Sequence, residues 1–129
     1  MIVEFENKCS KLRQQAILKA IWIAKDTLMP RIRKPILINI VTIRKLADKK
    51  GVYGDCMDEG DREFTIRVDV SLPLDEMVTT ILHEMVHVKQ YIRREVMDYS
   101  LPYDQRPHEI EAHTKEKLLK EIYDEHGRN

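Results

Sequence analysis

Two imidazoles and a carboxylate stand together at His83-Glu84-Met85-Val86-His87. Histidines four apart lie on one face of a helix, about one turn from each other, so both rings can reach a single metal ion. Glu84, beside the first ring, can contact a water held there without being a ligand itself, which is the position of a general base. The bland alternative is a pair of ordinary histidines on a solvated helix. The surrounding pattern favours a site. At 100° per residue Met77, Ile81, Met85, Val88 and Ile92 form one apolar stripe, and His83 and His87 lie roughly opposite it with Thr79, Thr80 and Gln90. One side of such a helix packs on the core while the other faces a cleft.

A catalytic zinc takes three protein ligands and leaves the fourth position to water, so a third donor must come from elsewhere. Pro107-His108-Glu109-Ile110-Glu111-Ala112-His113 offers two carboxylates. Two residues apart on a helix, Glu109 and Glu111 point about 200° from each other, so only one can serve. Glu109 shares a face with His113, which brings a carboxylate and an imidazole together. Glu111 points with Leu118 and Ile122, and a carboxylate aimed at an apolar stripe would need a partner such as a metal. Glu109 is the preferred third ligand and Glu111 the alternative.

The elements that must position these groups are legible at low resolution. Leu12, Ala16, Ala20, Ile23 and Thr27 recur at helical spacing over residues 9–29, ahead of Pro30. Ile36 to Ile43 is β-branched and predicts a central strand. Val52 to Met57 predicts a short strand, and Phe64 to Val70 alternates as a half-buried strand does. The acidic stretch from Asp55 to Glu63 between them predicts a solvated hairpin turn; it lacks the regular spacing of a calcium loop. Ser71-Leu72-Pro73 opens a second helix running to about Val96, and Asp104 and Pro107 open a third reaching about Glu125. The expected fold class is α+β: an N-terminal helix, a three-stranded, mostly antiparallel sheet, the helix with His83 and His87, and a C-terminal helix carrying the third ligand.

Composition bounds the rest. The 129 residues fit one domain spanning 1–129, with no repeat, linker or low-complexity tract. Lys plus Arg is 22 and Asp plus Glu is 22. A neutral chain has no global field to hold a polyanion, so nucleic acid is not expected as the main partner, although a local basic patch stays open. Cys9 and Cys56 make no disulfide framework and are expected to be reduced. No apolar run approaches the ~20 residues of a membrane span, and the charged N-terminus is no signal peptide, so a cytoplasmic location is expected.

Residues 64–92, FTIRVDVSLPLDEMVTTILHEMVHVKQYI, resemble the strand-then-helix core of zincin metallopeptidases. The downstream Glu109-Ile110-Glu111-Ala112 is similar to the E-x-x-A of the gluzincin branch. Small size and element order resemble the minimal phage- and bacteria-associated zincin-like peptidases, including the ImmA/IrrE-type regulatory proteases. The resemblance implies a zinc metalloprotease, a hydrolase with Zn2+ held by His83, His87 and Glu109, metal-activated water, and Glu84 as general base. It implies a protein or peptide substrate, an oxyanion donor drawn from Tyr53, Tyr91, Tyr103, His108 or His113, and pairing of the substrate with strand 64–70 as a sheet edge. His113 stands where many gluzincins carry Asp or Asn. The chain does not extend to HExxHxxGxxH, which sets aside the metzincins. A SprT-like protease, with a third histidine at His126-Gly127, is one competitor. A non-catalytic zinc-binding module is another.

Overall fold

A computed structural model of the chain describes residues 1–126. It is a mixed α+β fold with four helices and a four-stranded sheet. Strand β1 (Ile2–Phe5) leads into helix α1 (Lys11–Leu28), strand β2 (Leu37–Ile43) and the short helix α2 (Leu46–Lys50). Strands β3 (Gly54–Gly60) and β4 (Glu63–Asp69) form a hairpin before helix α3 (Leu74–Ile92), and helix α4 (Pro107–Glu125) closes the chain. Among the described residues no helix is long and apolar enough to cross a membrane.

The sheet differs from the expected one in two ways. It has four strands in the order β1-β2-β4-β3, and two of its three pairings, β1 with β2 and β2 with β4, are parallel. Only the β3–β4 hairpin is antiparallel. The missed strand is β1. Four residues, three apolar and one acidic, give little periodic signal, yet Ile2 to Phe5 pair in register with Leu37 to Ile40. Helix α1 then serves as the long connection that parallel neighbours require. Asn7 fastens the end of β1 to its neighbour: its side chain accepts from the Thr42 amide at 2.9 Å.

A second correction concerns the sheet edge. The strand expected at the edge, here β4, is interior, between β2 and β3, and the free edge beside α3 is β3. Much of the acidic stretch read as a turn is strand: Asp55 to Gly60 belong to β3, and only Asp61 and Arg62, both at positive φ, make the turn. Asp55 pairs with Arg67 across the ladder, which lets this acidic position sit within the sheet.

Helices α1 and α3 cover one face. Ile38 and Ile40 of β2 are fully buried, whereas Leu37 and Val41, on the other face, are only half-buried. Ile17 and Ile21 of α1 and Met77, Ile81 and Met85 of α3 fill the layer beneath. The stripe of α1 is therefore rotated from the expected one: Ala16, Ala20 and Ile23 are buried, but Leu12 is 66% exposed. Helix α3 stops at Ile92, four residues before the expected end. Arg94 adopts the left-handed conformation (φ 55°), its amide bonding to Tyr91 O while that of Glu95 bonds to Gln90 O. That is a Schellman turn without its usual glycine. Cys9 and Cys56 are both free thiols.

The start of α3 is set by Asp69. This buried carboxylate accepts from the Ala47 amide at 2.9 Å and the Ser71 amide at 2.8 Å. Burial alone would raise its pKa, but these backbone donors outweigh it and hold the carboxyl below its ordinary range. Asp69→Ala should destabilise the fold by about 1.5–3 kcal/mol, the scale of one hydrogen bond to a charged group. Because the folded pKa is depressed, this contribution is present above the unfolded pKa of about 3.9 and is lost as pH falls through the folded value. Chemical denaturation at pH 7 and pH 3 should show the gap between wild type and variant closing at the lower pH.

Candidate metal centre

Helix α3 is buried almost all round, because α1 and the sheet take one side and α4 takes the other. His83 and His87 are 9% and 8% exposed, so they sit at the floor of a cleft and not on a solvated face. The two rings lie edge to face, centroids 4.9 Å apart. On α4 the residues turned inward are Glu109, Ala112, Glu116, Leu119 and Tyr123, a spacing of three and four. Leu118, expected in the buried stripe, is 52% exposed.

Glu109 reaches both histidines. Its Oε1 lies 3.1 Å from His83 Nε2 and 3.1 Å from His87 Nε2. Glu111 turns away, accepting from Lys89 Nζ at 2.8 Å, Lys115 Nζ at 2.7 Å and Gln90 Nε2 at 2.7 Å. Lys89 is itself 5% exposed and also donates to Glu95. Glu111 thus finds a partner for its partly buried carboxylate in a lysine. Glu84 is 6% exposed and adjoins both rings.

Hydrogen bonds fix which nitrogen of each ring carries a proton. Gln90, fully buried, donates its amide to His108 O at 2.9 Å and to Glu111. Its carbonyl is then left to accept from His87 Nδ1 at 2.7 Å. His83 Nδ1 donates to Glu116 Oε1 at 3.0 Å. In the neutral rings both Nε2 atoms therefore present lone pairs, and both are aimed at a carboxylate oxygen. Three acceptors meeting in this way need positive charge between them, supplied by protons or by a cation. The two separations from Glu109, 3.1 Å each, are near the roughly 3.4 Å that a tetrahedral ion with spokes of about 2.0–2.2 Å sets between its ligand atoms. Outer partners such as Gln90 and Glu116 are what metal-ligating histidines require.

Without a cation the site draws in protons. Burial works against a charged His83, but its bonds to Glu109 and Glu116 prevail and raise its pKa to about 10. His87 moves the same way, against its burial, through Glu109 and Gln90. Burial would raise Glu109, but the two imidazoles hold it far below the usual carboxylate range. Glu84 is pushed up to about 7 by burial, with His83 and His87 opposing.

A second trio shares two of these groups. Donor atoms of His83, Glu109 and His113 all lie within 4.8 Å of one another. Both nitrogens of His113 are engaged, Nδ1 with Glu116 at 2.8 Å and Nε2 with the Tyr103 hydroxyl at 3.0 Å, and its side chain is 53% exposed. His87 Nε2, by contrast, meets only Glu109. Glu116, which serves both His83 and His113, was not anticipated from the sequence; seven residues after Glu109, it repeats that residue's helical face.

The remaining expected residues divide. Tyr53, Tyr91, Tyr103 and His113 line the cleft, an open groove of about 1090 Å³. His108 does not; it is buried, and neither ring nitrogen has a hydrogen-bond partner. Gly54, Asp55 and Cys56 of β3 form the opposite wall. Gly54 is required there, because a Cβ would come within 2.7 Å of both Arg67 O and Thr80 Cγ2. His126 caps the far end of α4, seventeen residues past Glu109 and so roughly 25 Å along the axis. It is too distant to complete the site, and Gly127 lies outside the described residues. Compared with protein-family models, curated proteins and solved structures, the chain shows no match.

Removing Glu111 should act on stability and not on the site. Glu111→Ala strands the buried Lys89 with one partner, and breaking such a pair costs about 3–5 kcal/mol; solvent at the Glu95 side places the expected loss at the low end. Thermal denaturation should show the drop, while the His83 and His87 ring NMR signals stay near their wild-type positions.

Proposed function

We propose that the chain is a zinc-dependent endopeptidase with a zincin-like, gluzincin-type centre. His83, His87 and Glu109 hold the metal and Glu84 is the general base. One observation carries this reading: two imidazole lone pairs, locked by Gln90 and Glu116, converge on one carboxylate oxygen of Glu109, with the buried Glu84 lining the same open cleft. When bound, zinc supplies Lewis acidity to a carbonyl oxygen and lowers the pKa of water to about 7.

The chain's own residues do the rest. Glu84 accepts the proton of the attacking water and passes it to the leaving amine; its buried position keeps its basicity near neutrality. Tyr103 is the candidate oxyanion donor, since it lines the cleft and its hydroxyl bonds to His113, which stacks 4.6 Å from His83. Burial and nearby carboxylates raise its pKa to about 12, so it keeps its proton to donate. The free edge of β3 offers unpaired backbone groups along one wall, suited to an extended peptide added as a further strand.

Purified protein should hold about one zinc per chain, and His87→Ala or Glu109→Ala should lose it. Equal trace metal in all three would sink the assignment. Glu84→Gln should keep zinc while peptide hydrolysis falls by at least about 100-fold; a variant that keeps both metal and turnover would remove Glu84 as base. Absence of hydrolysis in a zinc-loaded wild type, across a peptide library, would leave a binding module instead.

Zinc affinity should also depend on pH with a definite sign. Metal must displace the proton that His83 retains up to about pH 10 in the metal-free site, so affinity should rise steadily from pH 6 to pH 9. Competition titration with a chelator would measure it. Glu116→Gln, which weakens the hold on His83 Nδ1, should lower affinity about 10–100-fold.

A further inference from the structure

At the opposite end of α3 the chain gathers positive charge. Arg31, Arg33 and Lys34 of the α1–β2 loop, Arg62 of the β3–β4 turn and Arg93 after α3 line one pocket of about 620 Å³. None of these five cations forms an ion pair among the described residues, and no carboxylate lines the pocket. Among nearby acids, Asp26 lies against Lys25 and Glu95 against Lys89, while Asp61 and Glu63, beside Arg62 in the chain, do not line the pocket. In a chain of zero net charge this concentration is local.

Two features show that the cluster is built into the fold. Arg62 is fixed by the two-residue hairpin turn that it shares with Asp61, and its Nε is buried without an acceptor. The floor is apolar, formed by Met29, Ile32 and Ile92. Part of the charge has an ordinary purpose, because α1 and α3 both end here and Arg93 donates to Leu28 O at 3.4 Å. Two helix C-termini carry about half a negative charge each, so the five lining cations leave a surplus of about four within the pocket itself, before Asp61 and Glu63 beside Arg62 are counted.

We propose that this pocket is a binding site for a small anion carrying two linked phosphates. Each phosphate brings roughly 1.5–2 negative charges, so two match the surplus within one pocket. Carboxylates bring one charge each and cannot concentrate it as closely. Four of the five cations are arginines, whose planar donors suit the oxygens of phosphate. The apolar floor accepts the organic part of such a ligand. The site is separate from the metal centre and does not depend on the protease reading.

The test is an amide NMR titration of the full chain with inorganic pyrophosphate at low and physiological salt. The expected result is saturable shifts confined to residues 29–34, 62 and 92–94, persisting at physiological salt. Arg62→Gly removes the guanidinium and suits the positive φ. It should weaken binding about tenfold with an otherwise unchanged spectrum, the effect of one charge-assisted contact. Should that variant fail to fold, the double change Arg31→Gln, Arg33→Gln on the exposed rim carries the same expectation. The proposal is overturned by shifts centred on His83 and His87, which would report the metal centre. Non-saturating shifts spread over Lys45, Lys50 and other surface lysines, or variant affinity equal to wild type, would also overturn it. Citrate binding as tightly as pyrophosphate would overturn the phosphate assignment.

Discussion

The buried amide of Gln90 holds the two halves of the candidate centre in register. It spends both N–H donors on α4, at His108 O and Glu111, and its carbonyl on the His87 ring of its own helix. The separation of α3 and α4 and the tautomer of His87 are therefore linked through one side chain. Buried polar networks of this kind are high-stakes: fully satisfied they specify one arrangement, and a half-satisfied one costs more than an apolar core. Lys89 extends the same network, since its ammonium at 5% exposure is tolerable only while Glu111 and Glu95 remain in reach.

The sheet supplies the other constraint. With α1 and α3 on one face, the ends of the parallel strands and the turn into α3 decide where His83 sits relative to β3. Asp69 gathers the backbone of α2 and of the turn at Ser71, so the N-terminus of α3 is tied to the last residue of β4. Part of the cleft's geometry thus rests on contacts that involve none of its own side chains.

What the sequence disclosed was mostly local. His83, Glu84 and His87 are related by helical spacing alone, and the first carboxylate of helix α4 could be preferred to the second by its face. Pairings distant along the chain were hidden: nothing within Ile2–Phe5 signals that it joins Leu37 in a parallel ladder. The end of α3 was hidden because Arg94 occupies the conformation where a glycine would have announced it. Glu116 was readable in principle, two turns beyond Glu109, but only once α4 was known to pack on α3. Glu111 shows the limit of a helical-wheel argument. Its direction was compared with an assumed apolar stripe, and the stripe lies elsewhere, along Ala112 and Leu119. Lys89 is the partner that the argument lacked.

At Gly54 the wall of the cleft stands against α3 with only a hydrogen between them. The residue's φ is ordinary, so the requirement is for thinness and not for backbone freedom. It makes position 54 a gauge of groove width. Every methylene placed there would move the edge strand away from Thr80, and with it the line along which an extended peptide would run past Glu84. Proteins built on the same plan could widen or narrow their grooves at this one position while leaving the metal ligands untouched, so selectivity for substrate bulk and chemistry at the metal would vary independently.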